Sequence, residues 1–286
     1  MIETLLNLTV SGILIGGLYA LAALGLTIVL GVMRIINVSH GAFYTLGAYF
    51  TFLFSVMLGM NYIAAFILSA VLVFAVGVVY ERVLIKPIRK EELNVLILTF
   101  AAAFVIEEIV KFTFGPRYRN IPPYLSGTVT FFGGSVDVQR VFSFIIAIAI
   151  VALLILALRF TRVGKAMRMV AEDEEVAGIL GINVERIQMV SFGFGAMLAA
   201  AAAALLSPIY LLYPAMGWDP LLKAFAIVIF GGMGSITGTV LTGIIFGVAE
   251  VLTGYYISPT WKTVVPFILL ILIISIKPTG LFGEEE

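Results

Sequence analysis

The sequence contains no cysteine and only one histidine among its 286 residues. The absence of cysteine excludes disulfides and thiolate metal sites, and a single histidine excludes every metal motif that needs two. Charged residues are also scarce, at 12%, and the 17 basic side chains are balanced by 17 acidic ones. Without a basic excess there is no surface for nucleic acid. The composition therefore argues against a metalloenzyme and against a nucleic-acid-binding protein, and we expect neither a metal site nor a catalytic residue.

Apolar side chains dominate what is present: 62% of the residues are hydrophobic, and the mean hydropathy is +1.14. A soluble domain cannot hide that much apolar surface from water. Runs of about 20 apolar residues recur, each long enough to cross roughly 30 Å of hydrocarbon as a helix. We therefore predict an all-α polytopic membrane protein in which residues 1–286 form a single transmembrane domain. The apolar runs lie at residues 5–33, 38–58, 62–83, 95–114, 141–158, 187–207, 221–252 and 264–276.

The run at 221–252 is too long for one perpendicular crossing, because a continuous helix of that length would be on the order of 50 Å. It is interrupted by the sequence FGGMGSITG. We expect a break near Gly231–Gly234, formed either by a re-entrant segment or by two short crossings. The whole chain then has about 8–9 transmembrane helices.

Lysine and arginine collect in two connectors, residues 82–90 and residues 159–186. Positive charge beside a span is retained on the cytoplasmic side, so both connectors are predicted to be cytoplasmic. Residues 115–139 and the N-terminus are then outside. Within that outer connector, TVTFFGGSVDV alternates around a Gly-Gly pair and predicts a small hairpin. An ordinary loop held by Pro122 and Pro123 is the alternative.

Two glycine-containing stretches, RIINVSHGAFYTLGAY and GGMGSITG, place small polar residues between apolar runs. The second is not a nucleotide site, since no lysine follows the glycines. Transporters build substrate paths from paired interrupted helices, and we expect these stretches to form such a pair. The predicted substrate-path residues are Asn37, Ser39, His40, Gly41, Gly231, Gly232, Gly234, Ser235 and Glu250. The alternative is a simple turn in which Ser39 caps the next helix and Arg34 reaches the membrane surface.

Glycines spaced as GxxxG predict close helix packing at 12 and 16, at 234 and 238, and at 243 and 247. Acidic residues also occur within the apolar runs. Glu107 and Lys111 are spaced i to i+4, which predicts an ion pair near the outer end of one helix. Glu250 has no neighbour in sequence to pair with, so we expect it to face an outer vestibule or to reach the interface.

The connector at 159–186 contains the sequence VAEDEEVAGILGINVERI, which predicts a short amphipathic helix broken by glycine. Its acidic residues stand at the start, where the helix dipole favours negative charge, and apolar residues follow. Such a helix needs a surface to pack against. That surface is either the chain's own bundle or, as we expect, a separate soluble subunit.

Three motifs in order resemble the permease subunits of branched-chain amino-acid ABC importers: GLYALAALGLTIVLGVMRIINVSHGAFYTLGAY, GKAMRMVAEDEEVAGILGINVERI and AFAIVIFGGMGSITGTVLTGIIFGVAE. The resemblance covers nearly the whole chain and implies a permease domain in the cell inner membrane. It implies a second permease, expected to be a different homologous chain, two ATP-binding subunits and an extracytoplasmic binding protein. ATP and magnesium would be bound by the partners, so this chain would not be an enzyme. The implied ATPase-docking residues are Ala171, Glu172, Asp173, Ala177, Gly178, Leu180, Gly181, Ile182 and Asn183.

Two alternatives remain open from the sequence. Permeases for urea, short amides or other amino acids look similar over the same motifs. A protein of another class, an ion-coupled secondary transporter or channel acting alone, would use His40, Glu107 and Glu250 as protonation or ion sites. Few ionisable residues lie at membrane depth, which favours the ABC permease.

Overall fold

The computed structural model describes residues 2–131, 134–277 and 279–283. It is mostly helical, and π-helical turns at Leu53–Met57 and Glu81–Ile85 extend two of the helices. In chain order the helices are α1 (Ile2–Met33), α2 (His40–Phe52), α3 (Tyr62–Tyr80), α4 (Glu92–Phe114), α5 (Val138–Phe160), α6 (Arg162–Glu172), α7 (Glu174–Ile179), α8 (Val184–Leu206), α9 (Trp218–Gly231), α10 (Ile236–Tyr256) and α11 (Val264–Ile276).

Six of these described helices are long and apolar enough to cross a membrane. They are α1, α3 with its π-helical turn, α4, α5, α8 and α10. The prediction of an all-α polytopic membrane protein agrees with this architecture, but the count of 8–9 crossings is not confirmed. The difference arises from three predicted runs: α9 and α11 have 14 and 13 residues, and α2 has 13 residues before the π-helical turn Leu53–Met57 extends it. At about 1.5 Å per residue α9 and α11 are each only about 20 Å long.

The core of the bundle lies around α1 and α8. Their apolar stretches are 89% and 78% buried, whereas those of α4 and α5 are 22% buried. Helix α1 packs against α8, α9 and α10, and α8 also packs against α2 and α3. The buried surface of α8 includes the alanine run 199–204, whose small side chains permit close helix approach. Helices α4 and α5 therefore lie at the periphery of the chain.

Glycines bring the backbones of α1 and α10 together. A Cβ atom added at Gly16 would lie 2.7 Å from the Gly243 carbonyl oxygen, and one added at Gly243 would lie 2.9 Å from the Ala20 nitrogen. Gly12 and Gly247 meet the opposite helix in the same way. Any larger residue at these positions would force the two helices apart. The predicted packing role of the GxxxG pairs in α1 and α10 is confirmed.

The predicted hairpin is also present. Strands β1 (Thr128–Phe131) and β2 (Gly134–Asp137) pair antiparallel, with Phe131 opposite Gly134. Gly133, the other glycine of the predicted turn, lies outside the described residues. The hairpin is followed directly by α5.

Candidate translocation and docking sites

The first of the two predicted interruptions, residues 34–39 between α1 and α2, lets α2 begin inside the bundle. We call it the first break. Helix α1 ends at Met33, and the chain turns back through Arg34, whose φ of 54° lies in the left-handed region. Residues 34–39 then return to the middle of α1, where His40 Nε2 lies 2.9 Å from the Ala22 carbonyl oxygen. The His40 side chain is buried, and its ring lies beside Gly25. A helix that starts at this depth leaves its first turn facing other helices rather than water.

Ser39 does not cap α2, contrary to the turn-and-cap alternative. Its Oγ atom lies 2.6 Å from the Tyr80 hydroxyl and donates to the Thr99 carbonyl oxygen at 2.7 Å. The Ser39 hydroxyl does not reach the first turn of α2 because it is hydrogen-bonded to residues of α3 and α4. Asn37 is likewise buried, and its Oδ1 atom has no hydrogen-bond partner among the described residues. The break is thus tied to α3 and α4 through Ser39, while Asn37 retains a free acceptor.

Arg34 does more than reach the membrane surface. Its Nη2 atom donates to the carbonyl oxygens of Ala171 and Glu172, at 3.3 and 3.4 Å. These carbonyls belong to the last turn of α6, where helical carbonyls lack internal partners. The first break is therefore linked directly to residues 159–186, the segment that the family resemblance predicts to be a docking site.

The start of α9 forms a further interruption, which lies between the apolar runs at 187–207 and 221–252. Residues 207–217 fold back into the bundle after α8, and Pro214, Met216 and Gly217 are buried there. The backbone of Gly217 contacts that of Gly41, so the first turns of α2 and α9 meet. Neither helix has a side-chain cap at its N-terminus. The signal in the sequence is YPAMGWDP, where proline and glycine punctuate an otherwise apolar stretch.

A small cavity lies between α2, α4 and the start of α9. Its lining includes Gly41, Thr45, Ala103, Glu107, Gly217 and Trp218. The Trp218 indole Nε1 donates to Glu107 Oε2 at 2.8 Å. The predicted pair between Glu107 and Lys111 is wrong, because Lys111 Nζ instead lies 3.0 Å from Glu108 Oε1, on the exposed side of α4. Of the predicted substrate-path residues, Gly41 is at this cavity.

The second predicted break is present between α9 and α10. Gly232 and Gly234 have φ values of 101° and 82°, which glycine adopts at little cost. Ser235 Oγ accepts from the Gly238 backbone nitrogen at 3.1 Å and so caps α10. Gly231 and Gly232 are buried, whereas Gly234 is exposed.

The two predicted breaks lie at different depths along α1. Gly234 stands beside Gly31, in the last turn of α1, whereas His40 stands beside Ala22 and Gly25, more than a turn further into the bundle. The structure therefore brings both breaks to one helix but not to each other. The partner of the first break in this chain is the start of α9, through Gly41 and Gly217.

Glu250 has partners that the sequence did not indicate, and it faces neither a vestibule nor the interface. Its Oε1 atom lies 3.2 Å from both Lys223 Nζ and Lys262 Nζ and accepts from the Tyr19 hydroxyl at 3.2 Å. Lys223 Nζ also lies 3.0 Å from Asp219 Oδ2. The prediction failed because Lys223 and Lys262 come from α9 and from the turn before α11, far from Glu250 in sequence. We call this group of five residues the Glu250 cluster.

The docking segment comprises two short helices, α6 and α7. Asp173 separates them, and its Oδ1 accepts from the backbone nitrogens of Glu175 and Val176 at 2.9 Å, which caps α7. Gly181, with a φ of 84°, turns the chain after α7. Asn183 then caps α8 by accepting from the Arg186 backbone nitrogen at 3.0 Å. The predicted glycine-broken helix is confirmed.

The end of the docking segment presents apolar side chains to solvent. Val176, Ile179 and Leu180 are 50%, 79% and 63% exposed, and we call these three residues the apolar tip. Ala177 is buried within the chain, so its side chain holds α7 in place and offers no surface. Of the other predicted docking residues, Ala171 and Ile182 are partly buried, while Glu172, Asp173, Gly178, Leu180, Gly181 and Asn183 are exposed.

The basic connector at 82–90 forms ion pairs with residues of α7 and α8. Lys86 Nζ lies 2.8 Å from Glu185 Oε2, and Arg89 Nη2 lies 4.0 Å from Glu174 Oε1. Arg89 also donates to Gln188. These exposed pairs contribute little to stability individually, but they connect α3 and α4 to the base of α7 and α8. The segment that carries the apolar tip is therefore in contact with several membrane helices.

Comparison with known proteins agrees with this arrangement along nearly the full length. Residues 8–274 match the family described as "Branched-chain amino acid transport system / permease component". The chain is 34% identical to the high-affinity branched-chain amino acid transport system permease protein LivH of Salmonella typhimurium, over 96% of this chain and 94% of the relative. It is equally similar to BraD of Pseudomonas aeruginosa, over 97% and 95%.

A more distant relative is the permease protein LivM of Escherichia coli, which is 25% identical over 82% of this chain and 60% of LivM. No solved structure matches the chain. The family match includes both breaks, the docking segment and the Glu250 cluster. It leaves out only residues 1–7 and 275–286. The chain therefore belongs to the family of branched-chain amino acid transport system permease components.

Proposed function

We propose that this chain is the permease subunit of an ABC importer that moves leucine, isoleucine and valine across the cell inner membrane. The observation that carries the proposal is the family match over residues 8–274, together with relatives named as high-affinity branched-chain amino acid permeases. ATP would be hydrolysed, with magnesium, on two partner subunits, and an extracytoplasmic binding protein would deliver the substrate. This chain itself performs no covalent chemistry.

The second permease in the proposed assembly is a different, homologous chain. The similarity to LivM, at 25% identity, supports this choice because LivH and LivM are both named as permease proteins of a high-affinity system. This chain is the LivH-like member, at 34% identity. Two such chains together would enclose the translocation path.

The proposed contact with the ATPases is the docking segment within residues 159–186. Exposed Val176, Ile179 and Leu180 form an apolar tip, and the preceding residues are acidic. Apolar side chains of this size are stabilised when a partner covers them, and a polar rim is typical of such interfaces. The segment would be cytoplasmic, as would residues 82–90, with the N-terminus and the hairpin outside.

Motion at the docking segment would reach the translocation path through Arg34. Its hydrogen bonds to Ala171 and Glu172 connect the last turn of α6 to the residues that lead into α2. A rigid displacement of α6 and α7 by the ATPases therefore pulls on the first break, beside His40 and Gly41. The first turns of α2 and α9 would change their separation as the path opens alternately to each side.

The test of this function is uptake by the complete importer, isolated through a tag on this chain and placed in lipid vesicles. We expect the two ATPases and a second permease to co-purify, and uptake of labelled leucine to require ATP and the loaded binding protein. Uptake of labelled urea in place of leucine would identify the amide-type alternative. Uptake driven by an ion gradient in the isolated chain would overturn the proposal.

The variant Gly181→Val tests the coupling between ATP hydrolysis and uptake. Gly181 requires a positive φ, so valine strains the turn after α7. We expect ATP hydrolysis to continue while leucine uptake is lost. Gly59→Val is the matched control, because Gly59 also has a positive φ, of 66°, but lies remote from the docking segment with no atom near its Cβ position. Normal uptake by Gly181→Val would remove the coupling role.

A further inference from the structure

Glu107 is an acidic side chain at membrane depth that lacks a cation. It belongs to α4, which is long and apolar enough to span a membrane. Among the described residues its hydrogen-bond partner is the Trp218 indole, at 2.8 Å, and no basic side chain lies within ion-pairing distance. Ionisable groups are costly in a membrane, and an ionisable side chain without a partner there is a candidate functional site.

Lys111, the basic residue closest to Glu107 in the sequence, is already engaged. Lys111 follows Glu107 by one turn, but its Nζ atom pairs with Glu108 Oε1 at 3.0 Å, and both of those side chains are exposed. The two adjacent carboxylates of α4 therefore have different surroundings. Glu108 has a basic partner on the outside of the helix, whereas Glu107 points towards the start of α9 and has a neutral donor.

Aromatic rings pack around the Trp218 indole that donates to Glu107. The Trp218 ring centroid lies 5.8 Å from that of Phe100 and 5.3 Å from that of Phe104, and the two phenylalanine rings are 5.0 Å apart. Phe100 and Phe104 are 48% and 47% exposed, so their faces are available in this chain. Aromatic faces attract ammonium groups and also pack against aliphatic side chains.

The same carboxylate lines the cavity between α2, α4 and α9, together with Thr45, Ala103 and Trp218. The cavity itself has room for about one water molecule, so a substrate must part α4 from α9, and α4 packs only lightly against the rest of the chain. The site thus combines one unneutralised carboxylate, an apolar aromatic wall and access beside two helix starts. An α-ammonium group attached to a short aliphatic side chain satisfies all three features.

We propose that Glu107 and Trp218 form an amino-acid subsite on the translocation path. The Glu107 carboxylate accepts hydrogen bonds from the substrate's α-ammonium group, and Trp218 orients that carboxylate through its indole N–H. Phe100 and Phe104 contact the substrate's aliphatic side chain. This inference rests on the proposed function, because it names a binding site within that transport path.

The first experiment measures uptake turnover in vesicles that contain the assembled importer, with saturating leucine-loaded binding protein. We expect Glu107→Gln to lower turnover about tenfold, because the charge-assisted hydrogen bond to the ammonium group is lost. Trp218→Phe, which keeps a ring but removes the donor, should lower it less. Glu108→Gln is the matched control and should stay within about twofold of the parent.

The outcomes distinguish a substrate-binding role of Glu107 from a contact with the second permease and from no role at all. Turnover of Glu107→Gln equal to that of Glu108→Gln would overturn the subsite while leaving the proposed function intact. Loss of the second permease from purified Glu107→Gln importer would also overturn it, since Glu107 would then face a basic group of that subunit. Failure of the unmodified importer to take up any amino acid would instead remove the proposed function.

A second experiment uses the absence of cysteine from this chain. Phe100→Cys introduces a thiol on α4 about two helical turns before Glu107, and its reaction with a trimethylammonium-bearing thiosulfonate is compared with that of a sulfonate-bearing one. We expect the cationic reagent to react faster, and the preference to disappear when Glu107→Gln is added. A thiol that reacts with neither reagent would place this surface in lipid and overturn the subsite.

Discussion

Glu250 and Glu107 are both carboxylates within membrane-spanning helices, yet their surroundings differ. Glu250 is 2% exposed and has Lys223, Lys262 and Tyr19 around it. Glu107 is partly exposed, and its partner is one indole N–H. The first carboxylate is fully neutralised by this chain, whereas the second is not. A closed cluster of this kind holds helices together, and an open carboxylate is available to a ligand.

The Glu250 cluster joins elements that are otherwise separated by breaks. Tyr19 belongs to α1, Asp219 and Lys223 to α9, Glu250 to α10, and Lys262 to the turn before α11. Because α9 is short and is interrupted at both ends, it needs side-chain contacts to fix its position. The comparison therefore predicts that substitutions at Glu250 affect folding, while those at Glu107 affect transport.

Charge reversal at Glu250 should have the largest effect. Glu250→Lys places a third cation beside Lys223 and Lys262 in a buried site, where unpaired charge is very costly. We expect the melting temperature in detergent, followed by size-exclusion chromatography after heating, to fall by more than about 10 °C. Glu250→Gln is the matched control: it keeps the shape and an acceptor for the Tyr19 hydroxyl but adds no cation, so it should lose less. Equal melting temperatures for Glu250→Lys and Glu250→Gln would contradict the charge argument.

Removal of the buried cation should come next. In Lys223→Met the aliphatic length is kept but the charge is lost, and Asp219 loses its partner. Glu250 keeps Lys262, which limits the damage, so we expect a decrease of about 5 °C in the same measurement. A melting temperature at or above that of the parent would show that packing, not charge, positions α9.

A smaller effect is expected at Lys262. Its side chain is 36% exposed, against 7% for Lys223, so water can replace much of its interaction with Glu250. Lys262→Met should lower the melting temperature by about 2 °C. A decrease larger than that of Lys223→Met would reverse the order that burial predicts.

The smallest change in stability is expected at the open carboxylate. Glu107→Gln keeps an oxygen that accepts from the Trp218 indole, and no basic side chain among the described residues loses an ion pair. Its melting temperature should lie within about 2 °C of that of the parent, although its uptake is expected to fall. A strong loss of stability would place Glu107 with Glu250 among the structural residues and end the distinction between them.

Much of the fold followed from local pattern, because apolar runs, glycine breaks and the alternating hairpin each leave a signal within a few residues. The interruption before α9 was missed, since YPAMGWDP looks like a connector and its burial depends on the contact of Gly217 with Gly41. The partners of Glu250, Ser39 and Glu107 were missed for the same reason. Each comes from a different helix, and helical periodicity in one sequence does not give the neighbours of a helix.

The contact between α1 and α10 restricts how this subunit moves. Because glycine backbones touch over several turns, from Gly12 and Gly16 to Gly243 and Gly247, neither helix can slide or roll along the other without steric collision. The Glu250 cluster fixes α9 to the same pair. These three helices would therefore move as one unit, and in the proposed transport cycle a change of access would be carried by the lightly packed helices outside this unit, such as α4.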